Sequence, residues 1–271
     1  MPDTHAAAGQ AIADDLLYRV TDGIAHVTFN RPQARNAMLF SMYERLEAIC
    51  AEIDADRSIR ALVLTGAGDK AFAAGTDISQ FRAFKTPEDA LGYEARIDRV
   101  LVALERVRVP TIAALNGACT GGGAGMAACC DLRIATTTLR FGFPIARTLG
   151  NCLSMSNYAR LVALVGPARV KDLVFTARLI GAEEAKAAGL ISEILPDAEA
   201  LAARTQELAQ LVASHAPLTL RATKEALRRL EARSQPGEAD RDLILMCYMS
   251  NDFREGMDAF LAKRPPVWTG T

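Results

Sequence analysis

Apolar residues along this 271-residue chain first form two short runs, then alternate between helical spacing and unbroken apolar stretches. Residues 18–20 and 24–30 read as two strands around the turn signal Asp22-Gly23, an opening hairpin. Met42, Leu46, Ile49 and Ile53 then recur at helical spacing, with Ser41 as the expected N-cap and Glu44 three residues on. That pattern predicts a first helix to about Asp56. Residues 61–65 (ALVLT) and 111–115 (TIAAL) are unbroken apolar runs, as expected of strands buried on both faces. Between them Ile97, Val100, Leu101 and Leu104 mark one face of a helix predicted over about 88–107. Strand, helix, strand is the signature of a parallel β-α unit. Residues 132–135 and 190–195 supply further short strands. Beyond Pro196 the segments 198–215, 217–233, 239–249 and 252–263 are all helical in pattern, with no strand between them. The chain is therefore expected to be α/β, with β/α units first and helices last. It shows no internal repeat and no linker that would cut it cleanly.

Composition narrows the partners. The 31 Lys and Arg nearly balance the 32 Asp and Glu, so no basic field for nucleic acid is expected, and a small-molecule partner is the better reading. No run approaches the length of a membrane span, and the stretch 1–15, expected to be a mobile leader, lacks the features of a signal or transit peptide. The expected setting is the cytoplasm, without membrane contact. The six cysteines form no CxxC pair and there are only three histidines, so no zinc site and no metal is expected, and the thiols read as reduced.

The most informative segment is residues 116–125, NGACTGGGAG, after a strand and before a helical stretch. Glycine at such a junction lets backbone N–H groups approach a ligand, although a tight turn alone would also require it. The dinucleotide fingerprint fits Gly123 to Ala128 in form, but no acidic residue lies between Leu132 and Lys171 to hold a ribose. The phosphate-binding Walker pattern fails because no Gly-Lys-Ser/Thr follows.

A second loop, residues 71–78 (AFAAGTDI), changes the weighting. With residues 30–37 (NRPQARNA) before it, the glycine cluster and Cys130-Asp131 after it, residues 141–144 (FGFP), residues 181–190 (GAEEAKAAGL) and residues 255–260 (EGMDAF), it resembles the enoyl-CoA hydratase/isomerase, or crotonase, family from about Tyr18 onward. The resemblance implies a spiral of β-β-α units with two stacked sheets, followed by a C-terminal helical trimerisation region. The corresponding divisions are the leader 1–15, a β/α core over 16–196 and a helical region over 197–271. An acyl-CoA thioester is the implied partner, with no cofactor beyond the coenzyme A of the substrate, in a homotrimer or a dimer of trimers.

The resemblance also assigns roles. The backbone N–H groups of Thr76 and Gly122 match the pair that forms the family's oxyanion hole, where donors fixed in advance stabilise an enolate. Ala34, Arg35 and Ala37 on the first loop, with Ala73, Ala74, Gly75, Asp77 and Ile78 on the second, match positions that follow coenzyme A. Phe260 and Lys263 match the place where a neighbouring subunit covers the adenine end. Asp77 is also expected to fix its own loop.

The two glutamates that family hydratases use as acid and base are replaced here by Gly125 and Ile145. Some isomerases instead use an aspartate near the position of Ser154. Between Arg106 and Lys171 the only carboxylate is Asp131, expected to be structural. Cys152 reads as a small buried apolar residue rather than a nucleophile. The segment 144–152 is one residue longer than the family spacing and leaves Arg147, Asn151, Cys152 and Ser154 as its polar side chains. The expected function is therefore a nominal enoyl-CoA hydratase/isomerase with a non-standard proton donor. The alternatives are a non-catalytic acyl-CoA-binding or regulatory protein, or a specialised thioester hydrolase or decarboxylase.

Overall fold

A computed structural model describes residues 15–232, 241–269 and 271, so the expected leader lies outside the described residues except for Asp15. Strands β1 (Leu16–Thr21) and β2 (Ile24–Phe29) pair antiparallel, joined by Asp22 at φ 52° and Gly23 at φ 74°. Two successive left-handed residues are what a tight hairpin turn matching the strand twist requires. From β2 onward the large sheet is parallel, in the order β1-β2-β3-β5-β7-β9, with β3 at Ala61–Gly66, β5 at Thr111–Leu115, β7 at Leu132–Thr136 and β9 at Glu193–Leu195. After β3, β5 and β7 the chain adds a three-residue strand to a second parallel sheet, β4 (Ala71–Ala73), β6 (Ala118–Thr120) and β8 (Arg140–Gly142).

Helices close each turn. Helix α1 (Phe40–Ala55) links β2 to β3, α2 (Pro87–Arg106) links β4 to β5, and α3 (Gly122–Cys129) links β6 to β7. Strand, short strand, helix thus repeats as a spiral. Between β8 and β9 lie α4 (Ile145–Thr148), α5 (Met155–Val165), α6 (Pro167–Phe175) and α7 (Ala182–Ala187). Four more helices follow: α8 (Ala198–Ser214), α9 (Pro217–Ala232), α10 (Arg241–Tyr248) and α11 (Asn251–Leu261).

The unbroken apolar strands are explained by burial on both faces. Leu62 and Leu64 join the main core with α1 and α2, while Ala61 and Val63 face the other way with Ile112 and Ala114, against Leu201, Leu208 and Ala209 of α8. Burying such a leucine contributes about 1.5–3 kcal/mol. The helical region therefore begins by covering the sheet.

Three expectations shift. Ser41 is not the N-cap of α1, because the helix starts at Phe40 after extended Leu39, and the Phe40 amide donates to Gln80 Oε1 at 2.8 Å. The strand expected over 190–195 shortens to β9, because Leu190 still belongs to the turn after α7, its amide donating to Ala185 O at 2.9 Å. The helical stretch expected at Met126 begins four residues earlier, inside the glycine run at Gly122. The Gly123 to Ala128 segment is thus helix interior rather than a strand-to-helix turn, which removes the dinucleotide reading.

Candidate active site

Three loops converge beside the second sheet. In the first, Arg35 and Asn36 both adopt left-handed backbone, at φ 51° and 56°. Asn36 is fully buried and explains the turn: its side-chain amide donates to Ala71 O at 2.7 Å and Ala67 O at 3.0 Å, and its Oδ1 accepts from the Arg31 amide at 3.0 Å. The loop is completed by the Ala74 amide donating to Arg35 O at 3.0 Å. Buried polar groups of this kind fix a loop because leaving them unpaired costs about 1–3 kcal/mol each.

The second loop runs through Gly75, at φ 100°, to Thr76 and Asp77. It forms a parallel bridge to Met38, with the Met38 amide donating to Gly75 O and the Asp77 amide to Met38 O, both at 2.8 Å. In that pairing the Thr76 amide faces away from Met38. A Cβ built on Gly75 would stand 3.4 Å from Thr120 O and 3.8 Å from Gly122 N, so this loop lies directly against the start of α3. Gly122 opens that helix, and its amide is among the first N–H groups that no helical carbonyl can satisfy. Thr76 and Gly122, the residues whose amides are expected to form the oxyanion hole, are therefore neighbours at a helix N-terminus.

A hydroxyl cluster stands beside them that sequence reading missed. Tyr43 of α1 and Tyr93 of α2 each place a hydroxyl 2.9 Å from Thr76 Oγ1. A Cβ on Gly122 would come within 2.2 Å of the Tyr43 hydroxyl and 3.3 Å of Thr76 Oγ1, so only glycine fits there. The Tyr93 ring is surrounded by Phe40, Phe81, Phe84 and Tyr248. Its helix is anchored by a capping box, in which Thr86 Oγ1 accepts from the Asp89 amide and the Asp89 carboxylate accepts from the Thr86 amide.

The other candidates divide. Burial alone would push the Asp77 carboxyl up, but hydrogen bonds from Ser79 and the Arg31 guanidinium outweigh it and hold it below its ordinary range. Asp77 thus fixes its loop and caps the short 3-10 turn Ile78–Ala83. Ala73 is fully buried, so of the alanine pair only Ala74 offers its side chain to the surface. Ala34, Ala37 and Ile78 are half-buried at the mouth of the loops and Arg35 is exposed. Arg35 and Lys70 line a groove of about 280 Å³ there, and Lys70 was not anticipated. Phe260, half exposed, and Lys263 lie at the end of α11.

No acid stands at Gly125 or Ile145. A side chain at Gly125 would face Asn157 Oδ1 at 3.5 Å and Leu101 at 3.7 Å, whereas Ile145 is buried at the start of α4. Asp131 is structural as expected, its Oδ2 accepting from the Thr111 amide at 2.7 Å and pairing with Lys224 at 2.7 Å. Arg147 is exposed. Ser154 caps α5 and donates to Asp98 Oδ1 at 2.9 Å, while Asn151 donates to the Tyr248 hydroxyl, which in turn donates to buried Glu94. Glu94 and Asp98 reach this region from α2, a source the loop motifs did not indicate. Cys152 is half-buried rather than sealed, and its thiol hydrogen-bonds Cys247, drawing that thiol down to about 7.

Comparison with known proteins agrees with this architecture. The enoyl-CoA hydratase/isomerase family model matches residues 19–271. A short-chain-enoyl-CoA hydratase of Clostridium acetobutylicum is 36% identical over 245 residues, 89% of this chain and 92% of its own. A crotonyl-CoA hydratase of Syntrophomonas wolfei is 33% identical, over 93% of this chain and 96% of its own. Among solved structures, a methylmalonyl-CoA decarboxylase in complex with 2-nitronate-propionyl-CoA superposes with a TM-score of 0.85 at 28% identity, covering 94% of this chain and 98% of that one. The chain belongs to the enoyl-CoA hydratase/isomerase family, with the crotonase fold that its two sheets and spiral order describe. It is accordingly an acyl-CoA-binding enzyme of the enoyl-CoA hydratase/isomerase type.

Proposed function

We propose that this enzyme grips the thioester oxygen of an acyl-CoA between the Thr76 and Gly122 amides and stabilises the enolate formed there. The observation that carries the reading is the seating of the Gly75-Thr76 turn against the N-terminus of α3. Addition to an enoyl thioester, proton removal beside the carbonyl and loss of carbon dioxide from a carboxyacyl thioester all put negative charge on that oxygen. Each fixed donor is worth about 10²–10³-fold. The coenzyme A moiety would run past Ala34, Ala37, Ala74 and Ile78, with its phosphates near Arg35 and Lys70. Phe260 and Lys263 would cover the adenine end of a neighbouring subunit in a trimer or a pair of trimers. The reading places the protein in the cytoplasm and asks for no cofactor beyond the substrate's own coenzyme A.

The nominal reaction is hydration or isomerisation of an enoyl-CoA, with the family glutamates absent at Gly125 and Ile145. A positioned acid or base is typically worth 10²–10⁴-fold, so reactions that need a strong base are the ones most weakened. Decarboxylation is the second reading: breaking the carbon-carbon bond itself delivers the enolate, with no proton to abstract. The structural likeness to a methylmalonyl-CoA decarboxylase supports it. The test is calorimetry and turnover with a panel of enoyl-, 3-enoyl-, saturated and carboxyacyl-CoA thioesters. Turnover of the unsaturated members supports the first reading and turnover of carboxyacyl members the second. Binding without product leaves a regulatory acyl-CoA binder, and no binding to any member rejects all three.

A further inference from the structure

The hydroxyl cluster around Thr76 has a proton count that its internal bonds do not use up. Three hydroxyls, Tyr43, Thr76 and Tyr93, share two hydrogen bonds of 2.9 Å each. Each hydroxyl owns one proton, so one O–H is left over. Tyr43 is fully buried and, among the described residues, its only hydrogen-bond partner is Thr76 Oγ1, so it must donate to it. Tyr93, enclosed by aromatic rings, likewise meets no acceptor there other than Thr76 Oγ1. Burial pushes the Tyr43 hydroxyl up to about 12 and the Tyr93 hydroxyl well above its ordinary value, so both keep their protons through the neutral range. A threonine oxygen has two lone pairs, and two tyrosines fill them. The threonine proton is then the surplus one, on a half-buried side chain whose oxygen lies 3.3 Å from where a Gly122 side chain would be.

We propose that the Thr76 hydroxyl is a third hydrogen-bond donor to the substrate oxyanion, aimed by Tyr43 and Tyr93 as positioning residues. This rests on the reading of Thr76 and Gly122 as the oxyanion hole and adds to it a side chain. Thr76 would then contribute twice, through its amide and its hydroxyl. The arrangement suits a site with no carboxylate at Gly125 or Ile145: charge on the thioester oxygen is met by more donors rather than relieved by a nearby acid. It also accounts for the two tyrosines, since a threonine free to rotate would spend its proton on water.

The test compares, by calorimetry, propionyl-CoA with 2-nitronate-propionyl-CoA, an anion whose C2 is conjugated with the thioester and so spreads part of its negative charge onto the thioester oxygen. Proteins compared are the parent, Thr76→Val, Thr76→Ser, Tyr43→Phe and Tyr93→Phe. The parent and Thr76→Ser should prefer the nitronate. Thr76→Val should lose about 10²-fold of that preference, its nitronate affinity falling far more than its propionyl-CoA affinity, a split that a merely structural role would not produce. Each tyrosine variant should lose about fivefold, the worth of one neutral hydrogen bond. If Thr76→Val fails to fold, the tyrosine variants carry the test. Retention of the full preference by Thr76→Val, or by both tyrosine variants, overturns the proposal. A parent that binds neither thioester, or binds both equally, instead overturns the oxyanion reading beneath it.

Discussion

Replacing Gly122 with alanine sets two physical effects against each other, and the structure says which wins. Helix propensity favours alanine over glycine by up to about 1 kcal/mol in a helix interior, so a bare helix argument predicts a more stable protein. The built methyl, however, would lie 2.2 Å from the Tyr43 hydroxyl oxygen, 3.4 Å from its Cζ and 3.3 Å from Thr76 Oγ1. Tyr43 is fully buried and held by Thr76, so its ring has nowhere to withdraw. Overpacking of this kind costs about 1–3 kcal/mol, and breaking the Tyr43 to Thr76 hydrogen bond adds about 1 kcal/mol. The net expectation is a loss of about 1–3 kcal/mol in urea unfolding, with turnover falling about 10²-fold as the amide shifts by about 1 Å. Tyr43→Phe removes the atom at closest approach, leaving the ring carbon at 3.4 Å, an ordinary contact. The double variant should therefore recover at least about 1 kcal/mol relative to the sum of the single changes. A Gly122→Ala protein as stable as the parent, with no coupling to Tyr43→Phe, would refute this account of the glycine.

Other outcomes follow from the same geometry. Asn36→Ala removes three hydrogen bonds from a buried left-handed turn and should cost about 3–5 kcal/mol by denaturant midpoint. Asp131→Asn should lower stability with the turnover constant unchanged, as suits a carboxylate spent on Thr111 and Lys224; a kinetic defect would count against its structural role. Because the folded Asp77 carboxyl titrates below its unfolded value, its contribution is present above about pH 4 and is lost as pH falls through the lower folded value. Urea midpoints taken from pH 6 down to pH 3 should therefore fall less steeply for Asp77→Asn. Cys247, drawn down to about 7 by the Cys152 thiol, should be the first thiol alkylated by iodoacetamide near neutrality, and Cys152→Ala, which removes the hydrogen bond, should slow it.

Much of the fold was legible because its main signals are local. The apolar runs of β3 and β5 and the periodic faces of α1 and α2 are written in consecutive residues. Strands β4, β6 and β8 were not, since each is three residues long and exists only by pairing with segments distant in sequence. The helices between β8 and β9 were not anticipated either; the longest of them is 11 residues. At the site, the two loops that carry Thr76 and Gly122 could be located by motif, because Gly75 and the glycine run are required where chain meets chain. The hydroxyl cluster could not. Tyr43 sits on the apolar face of α1 between Met42 and Leu46 and reads as core, yet a buried tyrosine needs a partner for its hydroxyl. That partner lies 33 positions away, and the second tyrosine a further 17. A threonine in an otherwise alanine-rich loop was the one available hint.

The central claim is that the Thr76 and Gly122 amides hold a thioester oxygen. A crystal structure with a bound acyl-CoA measures this most directly. That oxygen is expected at roughly 2.7–3.1 Å from both nitrogens, with the Thr76 hydroxyl turned toward it. A thioester seated with its oxygen beyond hydrogen-bond reach of either amide would contradict it.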